Sequence, residues 1–259
     1  MTQSTAVYQR LLAAHNEGRP QLFVLIDPDK ANLAELPGFV AEAQDAGVDG
    51  FLVGGSLSLL PGFEECIRAM KVSARVPVVI FPGGIHQISG EADAILFLSI
   101  ISGRNPEQLI GQHVIAAPIL RELGLEAIST GYMIVSSDAV TSTEYMSYTK
   151  PIPREKAEIA AAHAVAAEML GMKLIYLEAG SGAPQSVPAS MVRMVRALVD
   201  IPIIVGGGIR TPEAAAEKVA AGASIVIIGN HFEEDGNRAQ LRAFAEAVHE
   251  GRTRSITEL

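Results

Sequence analysis

Short apolar runs alternate along this chain with longer stretches whose apolar residues recur at helical spacing. Eight of the runs read as strands, at residues 22–27, 50–53, 78–81, 94–98, 127–135, 173–177, 203–205 and 225–228. Several of the intervening stretches carry helix signals. LAELPGFVAEAQDAG closes on Gly47, a residue type that ends helices in the left-handed conformation. PREKAEIAAAHAVAAEMLG starts just after Pro153 and stops at Gly171. In TPEAAAEKVAAG, Thr211 is the N-cap, Pro212 takes the first helical position and Glu213 sits in the first turn. Strand followed by helix, repeated, implies parallel pairing through right-handed crossovers. Eight such units predict closure into an α/β fold, one (β/α)8 barrel spanning 1–259. One crossover breaks the rhythm. Between the third and fourth strands only PGGIHQISGEAD is available, which has little periodicity. That crossover is expected to be short or irregular, an altered or missing third helix.

Composition narrows the picture. The length of 259 residues is near the usual size of one such barrel, about 250. With 49% hydrophobic residues, 5% aromatics and no Trp, the core must rest on Val, Ile, Leu and Ala. Parallel strands covered on both faces use these residues. The net charge of −9 argues against a nucleic-acid groove, which needs a basic patch. It leaves an anionic small substrate open, because backbone N–H groups and a bound cation can hold phosphate. A single cysteine, Cys66, rules out a disulfide framework within the chain and fits a cytoplasmic location. The first residues lack the apolar core of a signal peptide, and no apolar run approaches the roughly 20 residues that span a bilayer. No stable membrane insertion is expected.

Active sites of such barrels lie at the C-terminal ends of the strands. The last three strands are followed by YLEAGSGAP, VGGGIRTP and IGNHF, three glycine-rich turns in succession. Glycine permits close approach of a ligand to the main chain, and N–H groups there, with the helix N-terminus at Thr211 and Pro212, can converge on a phosphate. A tight turn is the alternative reading of any one of them. Two of the three follow strands seven and eight, where this fold usually holds phosphate. At the first strand end stands Asp27, and Ser56 follows the second. A carboxylate and a hydroxyl leave most of a Mg²⁺ shell to water and phosphate oxygens, which suits that ion. The competing role for Asp27 is a turn former or N-cap before Pro28. Tyr176 and Glu178 share one face of strand six. Glu178 is a candidate general base or hydroxyl partner, with an ion pair to Arg210 as the structural alternative. Arg104, after strand four, could meet a second anionic group or be a solvated loop arginine. His231 could touch a ligand, and His163 sits mid-helix. Residues 136–153 after strand five form a long loop, either a lid or a decorative insertion.

Taken together and in order, FVLIDPDK, DGFLVGGS, VPVVIFPGG, FLSIISGRNPEQLIGQ, STGYMIVSSDAVTSTEY, IYLEAGSGAP, IPIIVGGGIRTPEAA and IGN resemble the geranylgeranylglyceryl phosphate synthase family. The resemblance runs from about Leu22 to Asn230. The LIDPDK start is similar to the branch with archaeal and some bacterial members, because Leu25 stands where the other branch has lysine. The resemblance implies a barrel with an altered third helix and a prenyltransferase activity. The partners would be sn-glycerol 1-phosphate and an all-trans polyprenyl diphosphate, most often geranylgeranyl diphosphate, with release of pyrophosphate. Carried over by position, the glycerol phosphate site covers Tyr176, Leu177, Glu178, Ala179, Gly180, Ser181, Gly182, Gly207, Gly208, Gly229 and Asn230. The Mg²⁺ site falls on Asp27 and Ser56, and Glu178, with Tyr176 beside it, carries the catalytic role.

The prenyl tail needs an apolar groove. Candidate walls are the FPGG turn, Ile100, Ile101, Tyr132 and Met133, with Arg104 toward the diphosphate and the long loop as cover. Ala-rich helices on an acidic barrel leave faces for a homo-oligomer, a dimer or hexamer. Two rival functions stand beside this one. An isomerase or aldolase on the same fold would need an acid/base pair or a strand-borne Schiff-base lysine, and Lys173 lies at the start of its strand, the wrong end. A non-catalytic binder of phosphate ligands would need only the glycine-rich loops.

Overall fold

A computed structural model describes residues 5–57, 60–229, 232 and 237–251. Eight parallel strands close into a barrel in sequence order: β1 (Gln21–Ile26), β2 (Gly50–Gly54), β3 (Val78–Phe81), β4 (Ala94–Ile100), β5 (Glu126–Ile134), β6 (Leu174–Glu178), β7 (Ile203–Gly206) and β8 (Ile225–Ile228). The last strand pairs back on the first, with Phe23 opposite Ile227. Each observed strand begins and ends within two residues of its expected position. The described helices are α1 (Ala6–Asn16), α2 (Leu36–Asp45), α3 (Phe63–Lys71), α4 (Gln112–Leu123), α5 (Ser142–Ser147), α6 (Ala157–Met169), α7 (Ala189–Arg196), α8 (Pro212–Ala220) and α9 (Leu241–Glu250).

Alternation along each strand divides the core into two shells. Phe23, Leu52, Val79, Leu96, Ile128, Tyr176 and Ile204 fill the barrel interior. Their neighbours Val24, Val53, Ile80, Ile95, Met133, Leu177 and Val205 point outward into the helix layer. Both faces are buried, so the strands read as continuous apolar runs rather than as alternating ones. The helix punctuation holds as well. Gly47 and Gly171 follow their helices at φ +107° and +81°, and the Thr211 hydroxyl accepts from the Ala214 N–H at 3.2 Å.

One end of the barrel is sealed. Val7 and Leu11 of α1 join the interior cluster. Glu126, at the start of β5 and buried, accepts from the Val7 and Tyr8 N–H groups at 2.9 and 2.8 Å. It thereby supplies partners for N–H groups that a helix start otherwise leaves orphaned. At the other end of α1, His15 bonds Ser224 Oγ at 2.7 Å and the Asp200 carbonyl at 2.9 Å. Access to the interior is left to the opposite end, where the strands finish.

The third crossover contains no helix: residues 82–93 hold only turns. Gln87 organises it from a fully buried position. Its Oε1 accepts from the Gly83 N–H at 2.7 Å, and its Nε2 donates to the Gly55 carbonyl at 3.3 Å. The short crossover leaves open the space beside β4 that a third helix would fill. Cys66 is buried in α3, and burial together with the Asp27 charge pushes its thiol up to about 12. It therefore stays protonated and inert. Among the described residues no helix is long and apolar enough to cross a membrane.

Candidate active site

The turns after β6 and β7 meet at the open end. Gly180, Gly182, Gly207 and Gly208 all have positive φ. At Gly207, with φ +82°, a Cβ would stand 2.2 Å from Glu178 Oε1 and 2.6 Å from the Gly180 nitrogen. Only a residue without Cβ lets these two turns pack. Leu177 and Ala179 point into the outer shell, so only their main chain is available to a ligand. Ser181 and Gly182 are exposed. Arg210 turns its guanidinium to the Gly182 carbonyl at 3.1 Å and the Pro184 carbonyl at 3.4 Å. It braces the β6 turn instead of pairing with Glu178. Gly229 follows β8 and lines a cavity of about 190 Å³ together with Asp27 and Lys30. Asn230 and His231 lie outside the described residues.

Glu178 ends β6 with its carboxylate inside the barrel, 6% exposed. Burial raises its pKa to about 7, against the opposing pull of the Gly180 N–H and the Tyr176 phenol. The Gly180 N–H donates to Oε1 at 2.6 Å. A carboxylate with this affinity is half-protonated near neutrality and can take a proton from a substrate hydroxyl. Tyr176 stands on the same inward face, and its phenol lies beside the carboxylate without a well-formed hydrogen bond. Tyr132 pairs with Tyr176 across β5 and β6, with ring centroids 5.0 Å apart. Phe81 stacks on Tyr176 at 5.5 Å. Burial and the Glu178 charge push both phenols well above their ordinary range, so both stay neutral.

Asp27 and Ser56 stand at the ends of β1 and β2. Asp27 Oδ1 accepts from the Asp29 N–H at 3.1 Å, so the residue does form the local turn before Lys30. Its Oδ2 lies 3.2 Å from Lys30 Nζ. The Ser56 hydroxyl is bonded to Thr143 Oγ1 at 2.7 Å. No three His, Cys, Asp or Glu side chains among the described residues converge on a metal position. The donor set is one carboxylate, with a cation already at its free oxygen, and one hydroxyl. Such hard, sparse oxygen donors do not build a resident metal cage. They do fit a Mg²⁺ ion that keeps water and substrate phosphate oxygens in its shell.

A cavity of about 280 Å³ opens from the mouth and runs down between β4 and α4, in the space left by the short third crossover. Phe81 to Gly84 of the FPGG turn line it, as do Ile100 and Tyr132. Ile101 and Met133 do not: Met133 belongs to the outer shell and Ile101 packs against it. Arg104 also lies elsewhere, in a surface cleft with Lys150 and His163. Its guanidinium donates to the Gly103 carbonyl at 2.7 Å and faces His163 Nε2 at 3.5 Å.

Several residues at the site were not read from the sequence. His113, Ala116 and Leu120 form one wall of the cavity. Their spacing of three and four residues is the signal that could have found them, one face of a helix. His113 is buried, and its Nε2 bonds the Ser99 hydroxyl at 3.2 Å. That hydroxyl also reaches the Leu109 carbonyl at 3.2 Å. Burial lowers the His113 pKa, keeping it neutral. Gln87 and Thr143 carried no signal, because a polar residue in a loop reads as solvated.

Known proteins share this fold and much of this sequence. The PcrB family profile matches residues 15–248. A geranylgeranylglyceryl phosphate synthase of Chitinophaga pinensis is 45% identical over 243 residues, 94% of this chain and 96% of that protein. Another, from Korarchaeum cryptofilum, is 42% identical over 231 residues, covering 89% and 95%. Among solved structures, (S)-3-O-geranylgeranylglyceryl phosphate synthase from Thermoplasma acidophilum, in complex with sn-glycerol-1-phosphate, superposes with a TM-score of 0.89 at 35% identity. That match covers 96% of this chain and all of the other.

Proposed function

This chain belongs to the PcrB family, and on that premise we propose that it joins the C3 hydroxyl of sn-glycerol 1-phosphate to an all-trans polyprenyl group, of which geranylgeranyl is the best fit. The enzyme is a prenyltransferase acting on glycerol phosphate. The observation that carries the finer reading is the juxtaposition of two half-sites. One is the pair of glycine turns with a buried carboxylate of raised pKa; the other is an apolar cavity opening at the same mouth.

The acceptor phosphate lies on the main chain of the turns after β6, β7 and β8, from Tyr176 to Gly182 and at Gly207, Gly208, Gly229 and Asn230. Glu178 accepts the proton of the attacking hydroxyl. The hydroxyl oxygen bonds to the allylic C1, the bond from C1 to the diphosphate oxygen breaks, and pyrophosphate leaves. Tyr176 lies beside Glu178, and the aromatic rings around the carboxylate exclude water. Asp27 and Ser56 would hold Mg²⁺, which supplies charge neutralisation at the departing diphosphate. Removing Mg²⁺ with excess EDTA is expected to abolish turnover; full activity there would withdraw Asp27 from this role. Fixing both partners in one geometry supplies much of the rate.

The prenyl chain follows α4 down the cavity. Because α4 runs antiparallel to β4, Leu120 lies about 6 Å deeper than Ala116, four residues of helix. A radiolabelled transfer assay with glycerol 1-phosphate and donors of 10 and 20 carbons tests the reading. The unaltered protein is expected to form ether product. Ala116→Phe should raise KM for the longer donor at least tenfold while sparing the shorter one and glycerol 1-phosphate. An equal effect on both donors would remove the groove from its role. Absence of ether product from the unaltered protein would instead favour the isomerase, aldolase or binder readings.

The same reading includes a homo-oligomer, dimer or hexamer. Its support is an exposed apolar face on α4, with Val114 at 65% and Ile115 at 50%. Cytoplasmic location is supported by a chain whose single cysteine, Cys66, is buried and offers no disulfide framework.

A further inference from the structure

The long segment after β5 touches the acceptor turn, the turn after β4 and the mouth of the apolar cavity. It leaves β5 through a parallel bridge between Val135 and Ile152, and it carries α5. At the start of α5, Thr141 is buried and its hydroxyl accepts from the Glu144 N–H at 3.2 Å. Thr141 also presses on the acceptor turn: a Cβ on Gly180 would stand 2.2 Å from Thr141 Cγ2. At the end of α5, the Ser147 carbonyl accepts from Asn105 Nδ2 at 2.7 Å, on the turn after β4. Asp138 Oδ2 accepts from Gln185 Nε2 at 2.9 Å, and Arg154 donates to the Ser136 and Ser186 carbonyls at 3.2 Å each. These contacts pin α5 across the mouth at both ends.

Between the pins, α5 presents Thr143. It is half-buried and lines the cavity at its open end, with Ser56, Tyr132 and Met146. Its Oγ1 bonds Ser56 Oγ at 2.7 Å, 87 residues away in sequence. Tyr132's phenol lies beside the Thr143 hydroxyl, without a hydrogen bond of full geometry. A serine hydroxyl has one proton and two lone pairs. With Thr143 engaging one of these, the rotation of the Ser56 hydroxyl is fixed and two hydrogen-bonding positions remain for a ligand at the cavity's open end.

We propose that Thr143 is a positioning residue for the diphosphate half of the site: it orients the Ser56 hydroxyl and locks the long segment over the junction of the two half-sites. This rests on the prenyltransferase reading above. The segment is then neither a decorative insertion nor a cover over the apolar tail alone. It spans from the acceptor turn at Gly180 to the donor end at Ser56, and one element closes on both substrates.

The test compares Thr143→Val, which keeps the shape and removes the hydroxyl, with Thr143→Ser, which keeps the hydroxyl. Two readouts are taken on the full-length protein. One is KM and kcat for each substrate. The other is calorimetric affinity for inorganic pyrophosphate with Mg²⁺, which needs no turnover. The valine variant is expected to bind pyrophosphate about tenfold more weakly, roughly the effect of one lost hydrogen bond to an anion-binding group. Its KM for prenyl diphosphate should rise similarly, with affinity for glycerol 1-phosphate within about twofold of the unaltered protein. The serine variant should recover most of the loss. Unchanged pyrophosphate affinity in Thr143→Val would overturn the inference. So would a serine variant as impaired as the valine one, or an equal loss of glycerol 1-phosphate affinity. Lack of prenyl transfer by the unaltered protein would overturn the proposed function instead, and the pyrophosphate measurement would still decide the role of Thr143.

Discussion

Glu178→Gln is expected to lower kcat by roughly a hundredfold to ten-thousandfold, the usual contribution of a positioned general base, while glycerol 1-phosphate still binds. The amide keeps an oxygen for the Gly180 N–H, which donates to Oε1 at 2.6 Å, so the turn proposed to hold the phosphate should not move. What is lost is the ability to accept a proton. On the proposed mechanism only the ionised carboxylate accepts the proton, and its pKa is about 7. Turnover should therefore rise with pH up to about 7 and level off above it. Near-normal turnover in the glutamine variant, or a pH profile flat through this range, would remove Glu178 from the role.

The same shift makes a claim about stability. The carboxyl keeps its proton in the folded protein up to about 7, whereas the unfolded chain releases it near 4.5. Between these values the folded state binds more protons, so this group's contribution to stability declines as pH rises through that window. At about 1.4 kcal/mol per pKa unit, ionising Glu178 in place costs about 3 kcal/mol. Glu178→Gln should thus unfold at a higher temperature than the unaltered protein well above pH 7, with the advantage gone below pH 4.5. A less stable glutamine variant at high pH would mean that the carboxylate is not desolvated as its burial implies. A buried carboxylate that costs stability is the usual compromise at active sites.

Gly207→Ala is expected to damage the site directly. The added Cβ would stand 2.2 Å from Glu178 Oε1 and 2.6 Å from the Gly180 nitrogen. Both are parts of the site itself, and one is main chain. The residue also holds φ at +82°, which costs an L-residue roughly 1–2 kcal/mol before any clash. Relief requires moving the carboxylate, the β6 turn or both. Affinity for glycerol 1-phosphate should fall by more than tenfold by calorimetry, together with turnover and melting temperature. Gly124→Ala, at the end of α4 and outside the site, is the matched control, because φ there is +66° but nothing lies within 4 Å of the added methyl. It should show the strain cost alone and keep its phosphate site. If both variants bind glycerol 1-phosphate equally well, the close packing of the two turns is not what shapes the site.

Much of this was legible in the sequence because it is local. Eight buried apolar runs, the Thr211 cap and the stops at Gly47 and Gly171 are each set by a few adjacent residues. The period of two along a strand places Tyr176 and Glu178 on one face whatever surrounds them. The weak pattern between β3 and β4 likewise announced a crossover without a helix. Tertiary packing decided the rest. The raised pKa of Glu178 comes from burial among Phe81, Tyr132 and Tyr176, which three separate strands contribute. Ile100 and Ile101 are adjacent, yet only Ile100 faces the cavity, because β4 ends at that residue and the chain turns outward. Arg104 is drawn away to His163 on α6 by the course of the loop. Above all, Thr143 meets Ser56 only because a pinned segment crosses the mouth. The sequence by itself determined the barrel, its glycine turns and the carboxylate at the end of β6, since neighbouring residues and strand periodicity suffice for those. Only the tertiary structure decided which side chains converge on the reacting groups, because convergence is set by contacts between residues far apart in the chain.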